Sequence, residues 1–174
     1  MTFNVEEHMN AIRESVFKIE VEVCDGGKLP TKAHASDAGW DLYATSDIYL
    51  YPGQVLKHPL NIKLALPKGT WAEITTKSGL GSKGQLVYAG VIDEAYRGVP
   101  HVVMTNVKHV YVMEYGDPVQ RETAPNTEPL IIKKGEKLAQ LLMNPYSPHY
   151  YMEQVDSVDT NTDRGSDGFG SSGK

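Results

Sequence analysis

Near residue 76 the sequence contains side chains suited to binding a phosphate group. In TKSGLGSKG (76–84), close glycines allow successive backbone N–H groups to face one ligand. Ser78 and Ser82 add hydroxyl donors, and Lys77 and Lys83 add positive charge. This combination indicates a phosphate-binding turn, although it lacks the spacing and the strand-to-helix context of a P-loop. The alternative is a Gly/Ser turn between strands with two solvated lysines.

A second stretch, AGVIDEAYRG (89–98), places carboxylates and an aromatic ring at a turn between apolar strand ends. Asp93 could hold a water molecule and accept its proton, while Tyr96 could present its ring to a sugar or a base. The alternative is structural, because Asp in a turn bonds the local backbone and Tyr packs well in strands.

Candidate metal ligands are few. In SDAGWDLYA (36–44), Asp37 and Asp41 could orient a hydrated cation or could cap a turn before a strand. The six histidines are scattered, and none has the helical spacing of a zinc site. No serine lies in a nucleophile-elbow pattern, and Cys24 is the single cysteine.

The C-terminal stretch RGSDGFGSSGK (164–174) is too rich in glycine and serine to build a core. Arg164 and Phe169 are nevertheless side chains that would grip a phosphate and cover a ring. The segment is either a flexible tail or one that orders when a ligand binds.

Composition limits the classes of function. A chain of 174 residues with 40% hydrophobic residues predicts one folded domain. A net charge of -5 argues against general binding to nucleic acid. No apolar run reaches membrane-spanning length, the N-terminus lacks the regions of a signal peptide, and one cysteine excludes an intramolecular disulfide. We therefore expect a cytoplasmic protein without a nucleic-acid or membrane partner.

The elements that must position these residues are predicted to be strands. Alternating apolar residues mark FKIEVEV (17–23), with Phe17, Ile19, Val21 and Val23 on one face, and NIKLAL (61–66). A PKG turn leads into WAEITT, HVVMTNV and HVYVMEY are rich in β-formers, and PLIIKKGEKLAQLLMNP predicts two strands joined by KKGE. Residues 4–15 predict one short amphipathic helix. The pattern favours an all-β sandwich, jelly roll or small barrel.

Five stretches occur in a fixed order, namely AGWDL (38–42), KSGLGSKG (77–84), GVIDEAYRG (90–98), GEKLAQLL (135–142) and RGSDGFGSSG (164–173). They resemble the five motifs of the homotrimeric dUTPases, the deoxyuridine triphosphate nucleotidohydrolases. The resemblance spans residues 17–174 and implies a jelly-roll-like β domain over residues 17–162. Residues 1–16 are then an N-terminal appendage, and residues 163–174 a flexible lid over the active site.

The resemblance implies an activity and a mechanism. The enzyme would hydrolyse dUTP to dUMP and pyrophosphate, which limits uracil incorporation into DNA and supplies dUMP for thymidylate synthesis. Asp93 would be the general base that activates water for attack on the α-phosphorus. Mg²⁺ would be held mainly by the phosphates and water, and Asp41 would contact it through water only. Three chains of a homotrimer would share each site.

The resemblance also implies the substrate contacts. Lys77, Ser78, Gly79 and Gln140 would bind phosphates, and Tyr96 would stack under the deoxyribose and exclude a 2′-hydroxyl. A hairpin from about Leu86 through Gly90, Val91 and Ile92 would bind uracil by its backbone. Arg164 would meet the γ-phosphate, Phe169 would stack over uracil, and Gly170 would contribute to the lid.

Three features depart from the common family pattern. Lys77 and Lys137 stand where arginine is usual, and lysine lacks the bidentate fork of arginine. The hairpin after Lys83 is short, and the segment within 108–129 is longer than in minimal members. Such an insertion resembles phage members, in which case the protein acts in the host cytoplasm.

Two other functions would be compatible with parts of this sequence. A dCTP deaminase shares this fold, but it would carry a catalytic glutamate in the strand after the third motif, and HVVMTNV has none. A regulatory protein would use the segment 108–129 to bind a protein partner, since recognition often resides in polar loops on a β scaffold. The alternative for that segment is a tolerated surface insertion.

Overall fold

A computed structural model describes residues 18–108, 127–146 and 152–158. Within these ranges the chain forms eleven β-strands and one helical turn. In chain order they are β1 (Glu20–Val23), β2 (Trp40–Tyr43), β3 (Ile48–Leu50), β4 (Val55–Pro59), β5 (Ile62–Ala65), β6 (Thr70–Thr75), α1 (Ser78–Gly81), β7 (Gln85–Tyr88), β8 (Val91–Ile92), β9 (His101–Asn106), β10 (Leu130–Ile132) and β11 (Lys137–Pro145). The prediction of an all-β fold is confirmed.

Several predicted segments lie outside the described residues. They are the helix at 4–15 within the appendage 1–16, the strand HVYVMEY (109–115), most of the insertion at 108–129, and the lid at 163–174.

The strands pair antiparallel in four sheets. A four-stranded sheet has the order β2-β11-β6-β8, a three-stranded sheet has the order β4-β9-β7, and β1-β5 and β10-β3 form two-stranded ladders. β11 is the longest strand described, and it pairs with both β2 and β6. The four-stranded sheet therefore carries the first, second, third and fourth motifs on or beside neighbouring strands.

Alternating apolar side chains from these sheets form one core. Its fully buried members include Leu42, Leu50, Ile62, Met104, Ile132, Leu138 and Leu141. In NIKLAL the predicted inward residues Ile62, Leu64 and Leu66 are buried, which confirms the period of two.

The predicted inward face of β1 is only partly correct. Val21 is half-buried, but the side chain of Val23 is 47% exposed. The reason is that β1 pairs with β5 alone, in a two-stranded ladder, so its far end is covered less than a central strand would be.

The stretch PLIIKKGEKLAQLLMNP forms two strands joined at KKGE, as predicted. The two strands do not pair with each other, since β10 pairs with β3 while β11 pairs with β2 and β6. The KKGE turn therefore carries the chain from one sheet to another.

Burial predicts the energetic importance of Leu50, whose side chain is fully buried. Leu50→Ala should lower the free energy of unfolding by about 2 to 5 kcal/mol, because the truncated side chain leaves a cavity. Urea denaturation followed by circular dichroism measures this change. Leu29→Ala is the matched control, since Leu29 is 53% exposed, and it should change stability by less than about 0.5 kcal/mol. Equal effects of the two substitutions would contradict the assigned core.

Candidate active site

A buried carboxylate holds two lysines at one end of the four-stranded sheet. Asp41 in β2 is 6% exposed. Its Oδ1 accepts a hydrogen bond from Lys77 Nζ, and its Oδ2 lies 2.7 Å from Lys137 Nζ. Burial by itself raises the pKa of Asp41, but the two ammonium groups outweigh it and hold the pKa below its ordinary value. Two cations beside one anion leave the cluster suited to an anionic ligand.

Strand register explains why these residues meet. Gln140 of β11 lies opposite Asp41 on one side and opposite Thr75 on the other. Lys137 begins β11, and Lys77 follows β6 by two residues. Residues from the first, second and fourth motifs thus converge because β11 lies between β2 and β6.

Gln140 is oriented by the backbone that precedes the lysine-containing turn. Its Nε2 donates a hydrogen bond to the carbonyl oxygen of Thr76 at 3.0 Å. The hydroxyl of Thr76 in turn accepts a hydrogen bond from the N–H of Val87 at 2.8 Å. The amide of Gln140 is therefore fixed beside Lys77, where the family resemblance implies a phosphate contact.

The predicted phosphate turn contains one helical turn, α1, shortly after β6. The expectation that no helix follows the strand is therefore wrong. The sequence did not reveal this helix, because four residues are too few to produce a helical pattern. The turn's own hydrogen bonds begin with Leu80 N–H to Lys77 O, at 3.0 Å. The N–H groups of Ser78 and Gly79, at the exposed start of α1, are not used by these bonds. They are positioned where an anion could accept them.

The third motif forms an exposed turn directly after β8. Asp93 is exposed, and its carbonyl oxygen accepts a hydrogen bond from Tyr96 N–H at 3.0 Å. The Tyr96 hydroxyl donates to the carbonyl of Val99 at 3.1 Å. Glycine at position 98 leaves space for the Tyr96 side chain, because a Cβ there would lie 2.5 Å from the Tyr96 hydroxyl and the ring would have to move. The turn thus presents the carboxylate and the ring on the surface.

The expected uracil hairpin is not a paired hairpin. β7 pairs with β9, whereas β8 pairs with β6, so the two strands belong to different sheets. Ala89 connects them with a positive φ of 54°, and Gly90 lies so close to β6 that a Cβ would collide with the carbonyl of Ile74. The sequence indicated apolar strand ends on either side of this turn but could not assign their partners.

The backbone and the side chains of this segment face different surroundings. The side chain of Ile92 is buried in the core, and that of Val91 is 66% exposed. Of the predicted contacts Gly90, Val91 and Ile92, the last can therefore offer a ligand only its backbone.

The two groups of predicted site residues lie at opposite ends of the same sheet. Ile92 pairs with Ala72, whereas Gln140 pairs with Thr75. At about 3.3 Å per residue, Asp93 lies roughly 13 Å along the strand direction from the level of Gln140. The two strands are also separated by β6, which adds about 10 Å across the sheet. A single chain therefore does not bring Asp93 to the lysine cluster.

Sequence reasoning did not predict that Lys137 belongs to the site. Lys137 was noted only as a departure from arginine, although it contacts the same carboxylate as Lys77. The signal for this contact was the paired replacement of both arginines by lysine. Asp37 caps a local turn, since its carboxylate accepts a hydrogen bond from His34 N–H at 2.9 Å. Arg164, Phe169 and Gly170 lie outside the described residues.

The part of the chain that the structure describes offers neither a cluster of metal ligands nor a membrane-spanning helix. No group of three or more His, Cys, Asp or Glu side chains in residues 18–108, 127–146 and 152–158 could hold a metal ion by itself. Within the same ranges, no helix is long and apolar enough to cross a membrane.

The chain is similar to known proteins in both its family model and its individual relatives. The family model described as dUTPase matches residues 25–116 and 123–173. The Pol polyprotein of ovine maedi visna related virus is 35% identical over 147 residues, covering 84% of this chain and 12% of the polyprotein. The human mitochondrial deoxyuridine 5′-triphosphate nucleotidohydrolase is 36% identical over 147 residues, covering 83% of this chain and 50% of that protein. The chain thus spans half or less of the length of these relatives.

Among solved structures, the dUTPase of Staphylococcus bacteriophage 80alpha with dUPNHPP is similar, with a TM-score of 0.69 and 26% sequence identity. The match covers 90% of this chain and 99% of that one.

The lysine pair predicts a titration shift. In Lys137→Met the pKa of the Asp41 carboxyl should rise, because one of its two ammonium partners is lost. Since the folded-state pKa of Asp41 is depressed, these contacts stabilise the fold above the unfolded-state pKa of about 3.9 and lose that effect as the pH falls through the folded-state value. Carbon-13 NMR titration of the Asp41 carboxyl measures the shift.

Lys133→Met is the matched control, because Lys133 pairs with Asp47 instead. An Asp41 pKa that is the same in Lys137→Met and Lys133→Met would refute the contact.

Proposed function

The chain belongs to the dUTPase family, and from that membership we propose that it hydrolyses dUTP to dUMP and pyrophosphate. Such an activity limits uracil incorporation into DNA and supplies dUMP for thymidylate synthesis. The observation that carries the proposal is the convergence of Asp41, Lys77 and Gln140 at one end of a sheet whose other end presents Asp93. One group suits a polyphosphate, and the other suits activation of a water molecule.

The phosphate-binding half consists of Lys77, Ser78, Gly79 and Gln140. Lys77 supplies a positive charge, the exposed start of α1 supplies two N–H groups, and Gln140 supplies an amide held in place by Thr76. Lys137 adds a second positive charge through its contact with Asp41. We expect these groups to bind the triphosphate in an extended row along the end of the sheet.

The residues present fit a magnesium ion that arrives with the nucleotide. The described residues offer no cluster of metal ligands, but Mg²⁺ commonly keeps several waters and binds mainly to substrate phosphates. Each oxygen of the Asp41 carboxylate has one lysine partner, which leaves acceptor capacity for a metal-bound water. Asp41 would thus hold the ion through water only. When bound, the ion would neutralise charge that develops on the phosphates.

Asp93 is assigned as the general base. An exposed carboxylate at the end of a strand can accept a proton from a water that it also orients. That water attacks the α-phosphorus, the bond to the bridging oxygen breaks, and pyrophosphate leaves with the bonding electrons. The Asp93 carboxyl then carries the proton taken from the water.

Substrate selection is assigned to the same turn and the segment before it. The ring of Tyr96, held by its hydroxyl bond to Val99, would pack against the deoxyribose and leave no space for a 2′-hydroxyl. The backbone of Gly90, Val91 and Ile92 would bind uracil, since Gly90 is fixed by the hydrogen bond from Ile74 N–H to its carbonyl at 2.8 Å. Arg164, Phe169 and Gly170 would close over the ligand as a lid.

The separation of the two groups supports a homotrimer with shared sites. Asp93 of one chain is too far from the lysine cluster of the same chain to act on a phosphate bound there. Each complete site would therefore combine Asp93 and Tyr96 of one chain with Asp41, Lys77 and Gln140 of another, and a lid from a third chain would complete it. The likeness to a phage dUTPase supports the phage-type assignment of the insertion at 108–129, which remains a candidate surface for a protein partner.

Removal of the proposed base should abolish turnover. Asp93→Asn should lower kcat by about 100-fold or more, because asparagine cannot accept the proton. The measurement is pyrophosphate release from dUTP, UTP, dTTP and dCTP with Mg²⁺, and the wild type should prefer dUTP. Asp37→Asn is the control, since Asp37 caps a separate turn, and it should keep wild-type turnover. Wild-type turnover by Asp93→Asn would eliminate Asp93 as the base, and ammonia release from dCTP would indicate a deaminase.

Shared sites predict complementation between two inactive variants. Asp93→Asn and Lys77→Met should each be nearly inactive alone. After the two are unfolded, mixed in equal amounts and refolded together, about a quarter of the sites should combine an intact Asp93 with an intact Lys77 from different chains. Recovery of dUTP hydrolysis to that level is the expected result. A mixture as inactive as its components would show that each site is built within one chain.

A further inference from the structure

Three residues near the proposed base form a closed ring of hydrogen bonds, here called the Glu94 ring. Glu94 Oε2 accepts a hydrogen bond from Gly69 N–H at 2.8 Å and another from the Tyr146 hydroxyl at 2.7 Å. The N–H of Tyr146 donates to the carbonyl of Gly69 at 2.9 Å, which closes the ring. One carboxylate oxygen thus joins two backbone segments that are already bonded to each other.

The ring anchors a turn that has little other support from the sheet. β8 contains only two residues, and its ladder with β6 ends at the pair Ile92 and Ala72. The chain then leaves the sheet at Asp93, the residue before Glu94. Gly69 precedes β6, and Tyr146 follows β11, so the side chain of Glu94 binds the turn to the start of β6 and to the end of β11, the strand beyond it.

The backbone of Glu94 is held as well. The guanidinium of Arg97 donates from Nη1 to the carbonyl of Glu94 at 2.6 Å and to that of Tyr96 at 2.9 Å. Glu94 is therefore held at both its side chain and its main chain. These bonds also restrict the backbone of the residues on either side of it.

The charge of Glu94 strengthens the ring. The Tyr146 hydroxyl and the Gly69 N–H hold the pKa of Glu94 below its ordinary value, and the carboxylate in turn raises the pKa of Tyr146. Hydrogen bonds to an ionised acceptor are stronger than those between neutral groups. The same bonds occupy one oxygen of Glu94 twice, which suits an anchor better than a proton acceptor for water.

We propose that Glu94 is a positioning residue, which acts through the Glu94 ring to hold the Asp93 carboxylate where it meets the attacking water. This role rests on the proposed hydrolysis of dUTP. Glu94 itself touches neither the substrate nor the reacting atoms. Its contribution is to orientation, to which reaction rates are steeply sensitive.

The test compares Glu94→Ala, Glu94→Gln and Tyr146→Phe in the full chain. Glu94→Ala should lower kcat by about tenfold or more, because the turn loses its anchor. The Kd for an α,β-imido analogue of dUTP should stay within about threefold of wild type, since phosphate binding is assigned to other residues. Glu94→Gln should restore most of kcat, because its amide oxygen can accept the same two bonds.

A double-mutant cycle tests whether Glu94 and Tyr146 affect kcat through the same Glu94 ring or independently of each other. Tyr146→Phe should lower kcat less than Glu94→Ala does, and the double variant should be no slower than Glu94→Ala alone, because both changes break one ring. Asp47→Ala is the matched control, since Asp47, like Glu94, accepts one backbone and one side-chain hydrogen bond. Its donors are Lys134 N–H and Lys133 Nζ, each at 2.9 Å. It should leave kcat unchanged.

Hydrogen exchange supplies a measurement that does not depend on activity. The Gly69 amide should exchange faster in Glu94→Ala than in wild type, Glu94→Gln or Asp47→Ala. Wild-type kcat in Glu94→Ala, or equal losses in kcat and in analogue binding, would overturn the positioning role while dUTP hydrolysis by the wild type still stood. A wild-type chain without dUTP hydrolysis would overturn the proposed function and the role together.

Discussion

The pairing of β11 on both of its edges is the constraint from which the arrangement of the site follows. Its first residues pair with β2 and its later residues with β6, and the two ladders overlap at Gln140 and Leu141. Because strand register is set by burial of alternate residues, Leu141 in the core fixes Gln140 beside Asp41. The same strand brings Lys137 to one end of the sheet and Tyr146 to the other. β11 therefore carries Lys137 and Gln140 directly, and it reaches the turn after β8 through the bond from Tyr146 to Glu94.

The electrostatics at the two ends differ in a way that matches the proposed division of work. At the end of β11 near Lys137, a buried carboxylate is neutralised by two lysines, which leaves positive charge for an anionic ligand. A buried charge without such partners would be strongly disfavoured, so Asp41 also requires the lysines. At the other end, Glu94 is bonded to neutral donors, and the neighbouring Asp93 remains exposed. One carboxylate organises cations, and the other is presented to solvent.

The length of the strands supports the proposed homotrimer. The residues that the proposed hydrolysis would require at one nucleotide are separated along β6 and across the sheet, and a rigid sheet cannot fold to bring its ends together. In the proposed homotrimer, association of chains would place one end of a sheet against the opposite end of a sheet in another chain. In this proposal the trimer is part of the chemistry, since a single chain holds each component of the site without a complete site.

The sequence by itself indicated an all-β fold and the candidate site residues, and the tertiary structure decided which strands and side chains become partners. Periodicity identified Ile62, Leu64 and Leu66 as core residues, and short motifs marked Asp93 and Lys77 as candidates, because these signals are local in the chain. Gln140 became a candidate only through the family resemblance. The prediction of a hairpin after Lys83 was wrong, since β7 pairs with β9 and β8 pairs with β6, and neither pairs with the other. The contact of Lys137 with Asp41 and the bond from Glu94 to Tyr146 likewise join residues separated by many positions. Such contacts depend on which strands become neighbours, and only packing of the whole core settles that choice.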